Sequence, residues 1–223
     1  MSVQENLQVI ETKIEKALQK VNRSRDELLL IGVTKYVSNE RAQEAIDAGV
    51  MDLGENRAEE LMHKYEALQT QANWHFIGTL QSRKVKDVVN KVTTIHSLDR
   101  LSIVKQINKR SEKIIECFVQ VNVSQESTKH GLNLEEVLPF IESLADYDKV
   151  RIVGLMTMAP DIQEEHEIRQ VFRSLRGLRD EIAAKQLSHA PCHYLSMGMS
   201  NDFDIAIEEG ATHLRLGSQL VGS

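Results

Sequence analysis

The feature that most constrains this chain is an alternation. Short β-forming runs lie at 28–34, 50–54, 74–78, 93–97, 115–123, 150–156, 192–196 and 212–217. All but the last are followed by a segment with apolar residues at helical spacing. Another such segment, 3–22, precedes the first run and carries Leu7, Ile10, Ile14, Leu18 and Val21 on one face. Parallel strands need a crossover between them, so strict β-α alternation predicts a parallel sheet. Eight units in 223 residues fit one closed (β/α)₈ TIM barrel with an extra N-terminal helix. An open doubly wound sheet is the competing α/β reading. No G-x-G-x-x-G follows the first strand, which weakens its dinucleotide-binding form. No linker or low-complexity tract interrupts 1–223, so a single domain is expected. Local signals punctuate the pattern. Ser38 or Asn39 can cap one helix, closed by Gly49, and Asn56 with Glu59 reads as a capping box for the next. Asn133 with Glu136 reads as another, in a helix that Pro139 is expected to kink or interrupt.

Composition excludes several function classes. A formal net charge of −6 offers no basic surface for nucleic acid. No apolar run is long enough to span a bilayer, and 1–5 has no apolar signal core, so a cytoplasmic protein is expected. The two cysteines, Cys117 and Cys192, sit in strand-like segments and read as buried thiols. The eight histidines show no metal-ligand spacing.

In barrels of this kind the active site lies at the C-terminal ends of the strands. The first run, Leu28–Val33, ends in Thr34-Lys35, which holds an amine where a core meets a cavity. There desolvation favours the neutral, nucleophilic form of a lysine. The second strand delivers Asn56, the third His75, the sixth Met156, the seventh Ser196 through Ser200, and the eighth Arg215, Gly217 and Ser218. Small residues in the last two turns, with backbone N–H groups at a helix start, make an anion site of the type found after barrel strands seven and eight. A lysine and a phosphate cradle on one rim suit a phosphorylated aldehyde held as a Schiff base, and pyridoxal 5′-phosphate (PLP) is the commonest such cofactor. Arg215 is permanently charged and only donates, so against the pyridine nitrogen it would keep that nitrogen unprotonated. The bland alternative for Arg215 is a rim salt bridge to Glu208 or Glu209. Lys129, in the polar stretch 124–131, is a possible second amine.

The sequence resembles the PLP homeostasis proteins, relatives of the alanine racemase N-terminal barrel. The resemblance is carried by Gly32-Val33-Thr34-Lys35, Gly54-Glu55-Asn56-Arg57, Trp74-His75-Phe76-Ile77-Gly78, His96-Ser97-Leu98-Asp99, Gly154-Leu155-Met156-Thr157, Ser196 through Asp202 and Leu214-Arg215-Leu216-Gly217. It implies a fold type III PLP barrel, with PLP on Lys35, phosphate contacts from Met199, Ser200, Gly217 and Ser218, and Arg215 at the pyridine nitrogen. Ser218 stands where relatives often have Thr or Arg. The full cofactor set expected is Lys35, Asn56, His75, Met156, Ser196, Met199, Ser200, Arg215, Gly217 and Ser218.

The expected function is a PLP carrier without turnover. It holds PLP as a lysine aldimine, supplies it to apo-enzymes, binds amino acids at most as further ligands, and is monomeric. The alternative is a PLP-dependent amino-acid racemase. That chemistry resembles a two-base reaction with a tyrosine from a second domain, for which a chain ending at Ser223 has no room. Tyr36 adjoins Lys35, but neighbours on a strand point oppositely. A lysine-dependent aldolase shares the barrel but would be colourless.

Overall fold

The computed structural model describes residues 1–124, 130–160 and 164–222. The eight strands are β1 (Leu29–Val33), β2 (Asp52–Glu55), β3 (Asn73–Phe76), β4 (Thr94–Leu98), β5 (Ile115–Gln120), β6 (Val150–Met156), β7 (Tyr194–Ser196) and β8 (His213–Leu216). Each pairs in parallel with the next, and β8 closes on β1 with Leu30 opposite Leu214, so the sheet is the closed barrel that the alternation predicted. The helices are α1 (Val3–Lys20), α2 (Asn39–Asp47), α3 (Ala58–Leu68), α4 (Val85–Val88), α5 (Leu101–Arg110), α6 (Leu134–Glu142), α7 (Glu165–Ala184), α8 (Phe203–Glu208) and α9 (Ser218–Val221). The extra helix α1 packs against α8, α9 and α2 and covers the seam where the barrel closes.

Strand residues point alternately to the two faces. Leu30, Leu53, Trp74, Ile95, Cys117, Ile152, Leu195 and Leu214 face the helices and join one large apolar cluster. Phe118, Val153 and Met156 form a separate small cluster inside. The same period puts Ile31 and Val33 inward and carries on to Lys35. Alternation is therefore what aims the lysine at the interior end of the barrel rather than at the helices.

Several local readings change. The box at Asn56 does not form: α3 starts after Arg57, and Asn56 turns inward from β2 instead. The helix expected after the third strand is a 3₁₀ turn, Ser82–Lys84, followed by the single turn α4. The chain beyond β8 is helical at α9, where no helix was expected. Helix α6 runs through Pro139 uninterrupted. Pro139 and Glu135, whose carbonyl it cannot serve, are both exposed, so water replaces the missing bond. Its other expected feature is present, with Asn133 N–H donating to Glu136 Oε2 at 2.8 Å. Both thiols are free and buried. Burial pushes Cys192 up to about 12 and Cys117 higher still. Among the described residues no helix is long and apolar enough to cross a membrane.

Candidate functional site

A cavity of about 690 Å³ opens at the C-terminal ends of the strands. Lys35, Asn56, Met156, Met199, Ser200, Arg215, Gly217 and Ser218 line it. His75 and Ser196 do not: they lie one layer below, hydrogen-bonded inside the barrel. Lys129 lies outside the described residues.

Lys35 is exposed to the open cavity, so the desolvation expected at the exit of a buried strand is not supplied by the protein alone. The chain leaves β1 sharply. Tyr36 has φ of 66°, a left-handed conformation rare for a non-glycine residue. Strand alternation therefore ends at Lys35, and the tyrosine ring does not point away as a strand neighbour would. The lysine Nζ lies 5.8 Å from the ring centroid, and the Arg57 guanidinium lies 5.6 Å from the same ring. Two basic side chains thus lie near one aromatic ring beside the cavity lysine.

The wall opposite is built from two turns. After β7 the chain bends at Gly198, where φ is +95° and an added Cβ would fall 2.7 Å from Ala206 Cβ. Only glycine allows both the turn and the contact. Met199 N–H donates to Asp202 Oδ1 at 2.6 Å, which pins the turn. From β8, Ser218 Oγ approaches Ser200 Oγ at 3.4 Å, and Gln219 Nε2 donates to Ser200 O at 2.6 Å. Among the described residues no backbone acceptor takes the N–H groups of Ser200 or Ser218. Two hydroxyls and two free N–H groups at one corner are a neutral anion-binding surface. The helices beyond, α8 and α9, span six and four residues. The corner therefore owes its donors to the turns rather than to a long helix dipole.

Arg215 forms the floor. It is buried and, among the described residues, makes no salt bridge: Nη1 donates to Ser196 Oγ at 2.5 Å and Nη2 to Thr157 O at 3.0 Å. Glu208 and Glu209 are instead occupied by Lys20, Arg169 and Arg173 on the outer surface. Burial pulls Arg215 down to about 10, with Asp202 acting in the opposite sense. Two of its five N–H groups are used, so donors remain for a group above. On the β2 side, Asn56 Oδ1 is buried without a hydrogen-bond partner. Gly78 brings β3 against this residue, since a Cβ there would lie 2.0 Å from Asn56 O.

The cavity also uses residues outside the expected cofactor set. Ile77, Thr79, Gln120, His130 and Ala159 line it. Gln120 was readable, because it follows Phe118 by two on the inward face of β5. His130 lies in the loop that the strand-end reading assigned to the fifth strand, and it stands next to the bridge of Val121 to Leu132.

The profile of the alanine racemase N-terminal domain family matches residues 6–223. The chain is similar to the pyridoxal phosphate homeostasis protein of Aquifex aeolicus, 40% identical over 226 residues that cover 100% of this chain and 98% of the relative. It is 33% identical over 226 residues to the protein of the same name from Escherichia coli K12, covering 98% of this chain and 95% of the relative. Among solved structures it is similar to PipY of Synechococcus elongatus with PLP bound, with a TM-score of 0.86, 27% identity, and coverage of 99% of this chain and 100% of that one.

Proposed function

This chain belongs to the alanine racemase N-terminal domain family and, within it, to the pyridoxal phosphate homeostasis proteins, and from that premise we propose that it binds PLP in the rim cavity and holds it for delivery to apo-enzymes in the cytoplasm. One observation carries the reading. A lysine amine, an anion corner and a buried arginine line a single cavity of about 690 Å³. The donors fit the cofactor. Ser200 and Ser218 offer hydroxyl and N–H groups to a phosphate, Arg215 has donors left for a ring nitrogen, and the orphaned Asn56 Oδ1 accepts from a polar substituent.

When bound, PLP supplies an aldehyde and an electron-withdrawing ring. Lys35 Nζ is the amine that would hold the cofactor through that aldehyde. Arg215 cannot give up a proton at physiological pH, so it would hold the ring nitrogen as an acceptor and keep the ring a weak electron sink. That favours storage over carbanion chemistry, in a monomer whose further ligands are amino acids. The racemase reading differs in one measurable respect. Protein loaded with PLP should restore activity to an apo-aminotransferase, and alone with L-alanine it should form no D-alanine. Steady accumulation of D-alanine would establish turnover and end the carrier reading.

A further inference from the structure

Beneath the cavity, four hydrogen bonds run end to end through the barrel. Arg215 Nη1 meets Ser196 Oγ at 2.5 Å, and Ser196 Oγ meets His96 Nδ1 at 2.8 Å. His96 Nε2 meets His75 Nδ1 at 3.0 Å, and His75 Nε2 meets Asp52 Oδ1 at 3.0 Å. The five residues come from β8, β7, β4, β3 and β2. Arg215 lines the cavity, whereas Asp52 begins its strand at the opposite end of the barrel, its side chain 15% exposed. Phe118 stacks on His96 with ring centroids 4.5 Å apart, and the His213 ring lies 6.2 Å from it, so water is excluded from the sides. Three of these residues, Asp52, His75 and His96, have no part in the function proposed above.

Donor and acceptor counting gives the chain a direction. Arginine only donates, so Ser196 Oγ must accept from Nη1. Ser196 can give its single hydroxyl proton to His96 Nδ1 where that nitrogen is bare, and the far end of the chain decides that it is. His96 is fully buried, and burial together with His75, His213 and Arg215 holds it well below its ordinary value, so the ring is neutral. Its one proton therefore sits on Nε2 and is donated to His75 Nδ1. That leaves the His75 proton on Nε2, facing the carboxylate. Starting from the other end, an ionised Asp52 only accepts and imposes the same order. Each ring nitrogen in the series then has one partner, while Arg215 keeps N–H groups free to face the cavity.

We infer that Asp52, His75, His96 and Ser196 form a one-way hydrogen-bond chain that aims the Arg215 guanidinium at the cavity, so that Asp52 and His75 are positioning residues for a site neither of them touches. Chains of this kind polarise one another in a low-dielectric interior. A carboxylate at the far end makes each acceptor along the line stronger, including the Ser196 oxygen that holds the guanidinium. What Arg215 then meets in the cavity rests on the PLP reading; the chain itself does not.

Two measurements keep these apart. In protein free of PLP and labelled with ¹⁵N-histidine, ring ¹H–¹⁵N correlations should show the proton on Nε2 and a bare Nδ1 in both His75 and His96. A proton on His96 Nδ1, or a charged ring at either position at neutral pH, overturns the chain. In protein loaded with PLP, Asp52→Ala should shift the absorption band of the bound cofactor, and Asp52→Asn, which keeps an acceptor oxygen for His75, should restore most of the wild-type position. Bands identical in all three proteins would overturn the positioning role. A wild-type protein that develops no band with PLP counts against the cofactor reading alone, and the histidine protons still decide the chain.

Discussion

The two sides of the sheet are built on opposite rules. Between strands and helices the packing is almost wholly aliphatic, from Ile10 and Ile14 on α1 round to Leu220 on α9. Inside the barrel, the apolar Ile31, Val33, Phe118, Val153 and Met156 share the space with His75, His96, Gln120, Ser196 and Arg215, all buried. The shell gains from area removed from water and needs no particular direction. The interior gains little from area, and each polar group there must find a partner of the right kind. The difference suggests a division of labour: the shell holds the barrel closed, and the interior sets what its open end can bind.

One exception tests that division. Glu55 and Lys64 form an ion pair at 3.0 Å in the shell, 0% and 1% exposed, with Thr34 Oγ1 donating to Glu55 at 2.6 Å. Thr34 and Glu55 directly precede Lys35 and Asn56, so the pair ties the backs of two cavity strands to α3. Lys64→Met strands a buried carboxylate and should cost about 3–5 kcal/mol of unfolding free energy by urea titration. It should also weaken PLP binding. If stability falls and binding is untouched, the pair belongs to the shell alone.

Leu61→Ala, one turn away on α3 and fully buried, should cost about 3 kcal/mol through the cavity it leaves. PLP titration of the folded variant should match wild type. A loss of binding here would erase the distinction between shell and interior.

The interior predicts a pH dependence in the histidine range that the shell does not. Burial keeps His96 neutral, far below its ordinary value, and lowers His213 to about 3. Below about pH 6.5 the unfolded chain takes up protons at these sites and the folded one does not, so stability falls with pH. For His96 the slope is about 1.4 kcal/mol per pH unit, vanishing above that range. Glu55, held above its ordinary value mainly by burial, acts in the opposite sense nearer 4.5. Denaturation curves across the histidine range should show the decline, and a His96→Phe variant should flatten it. An equal slope in the variant would assign the dependence elsewhere.

The sequence carried the barrel well because its signals are local. Hydrophobic runs, their spacing and a two-residue alternation place Lys35, Gly217 and Arg215 on the inward side. What it did not carry joins residues far apart. Ser196 and His96 meet across 100 positions, and neither lies in a motif that names the other. Asn56 read as a helix cap because Glu59 follows at the right spacing, yet the end of β2 turns it inward. Pro139 read as a break because sequence does not show that the carbonyl it abandons faces water. Lys35 read as desolvated because a strand exit does not reveal how wide the cavity above it is.

If Lys35, the lysine that lines the cavity among the described residues, holds PLP, the cofactor can be trapped there by reduction. The protein is to be incubated with PLP, reduced with borohydride, digested and mapped by mass spectrometry. The pyridoxyl mass should fall on the peptide containing Lys35, and Lys35→Ala should carry none. A label on Lys129 or spread over surface lysines, or the same label in the variant, would contradict the account.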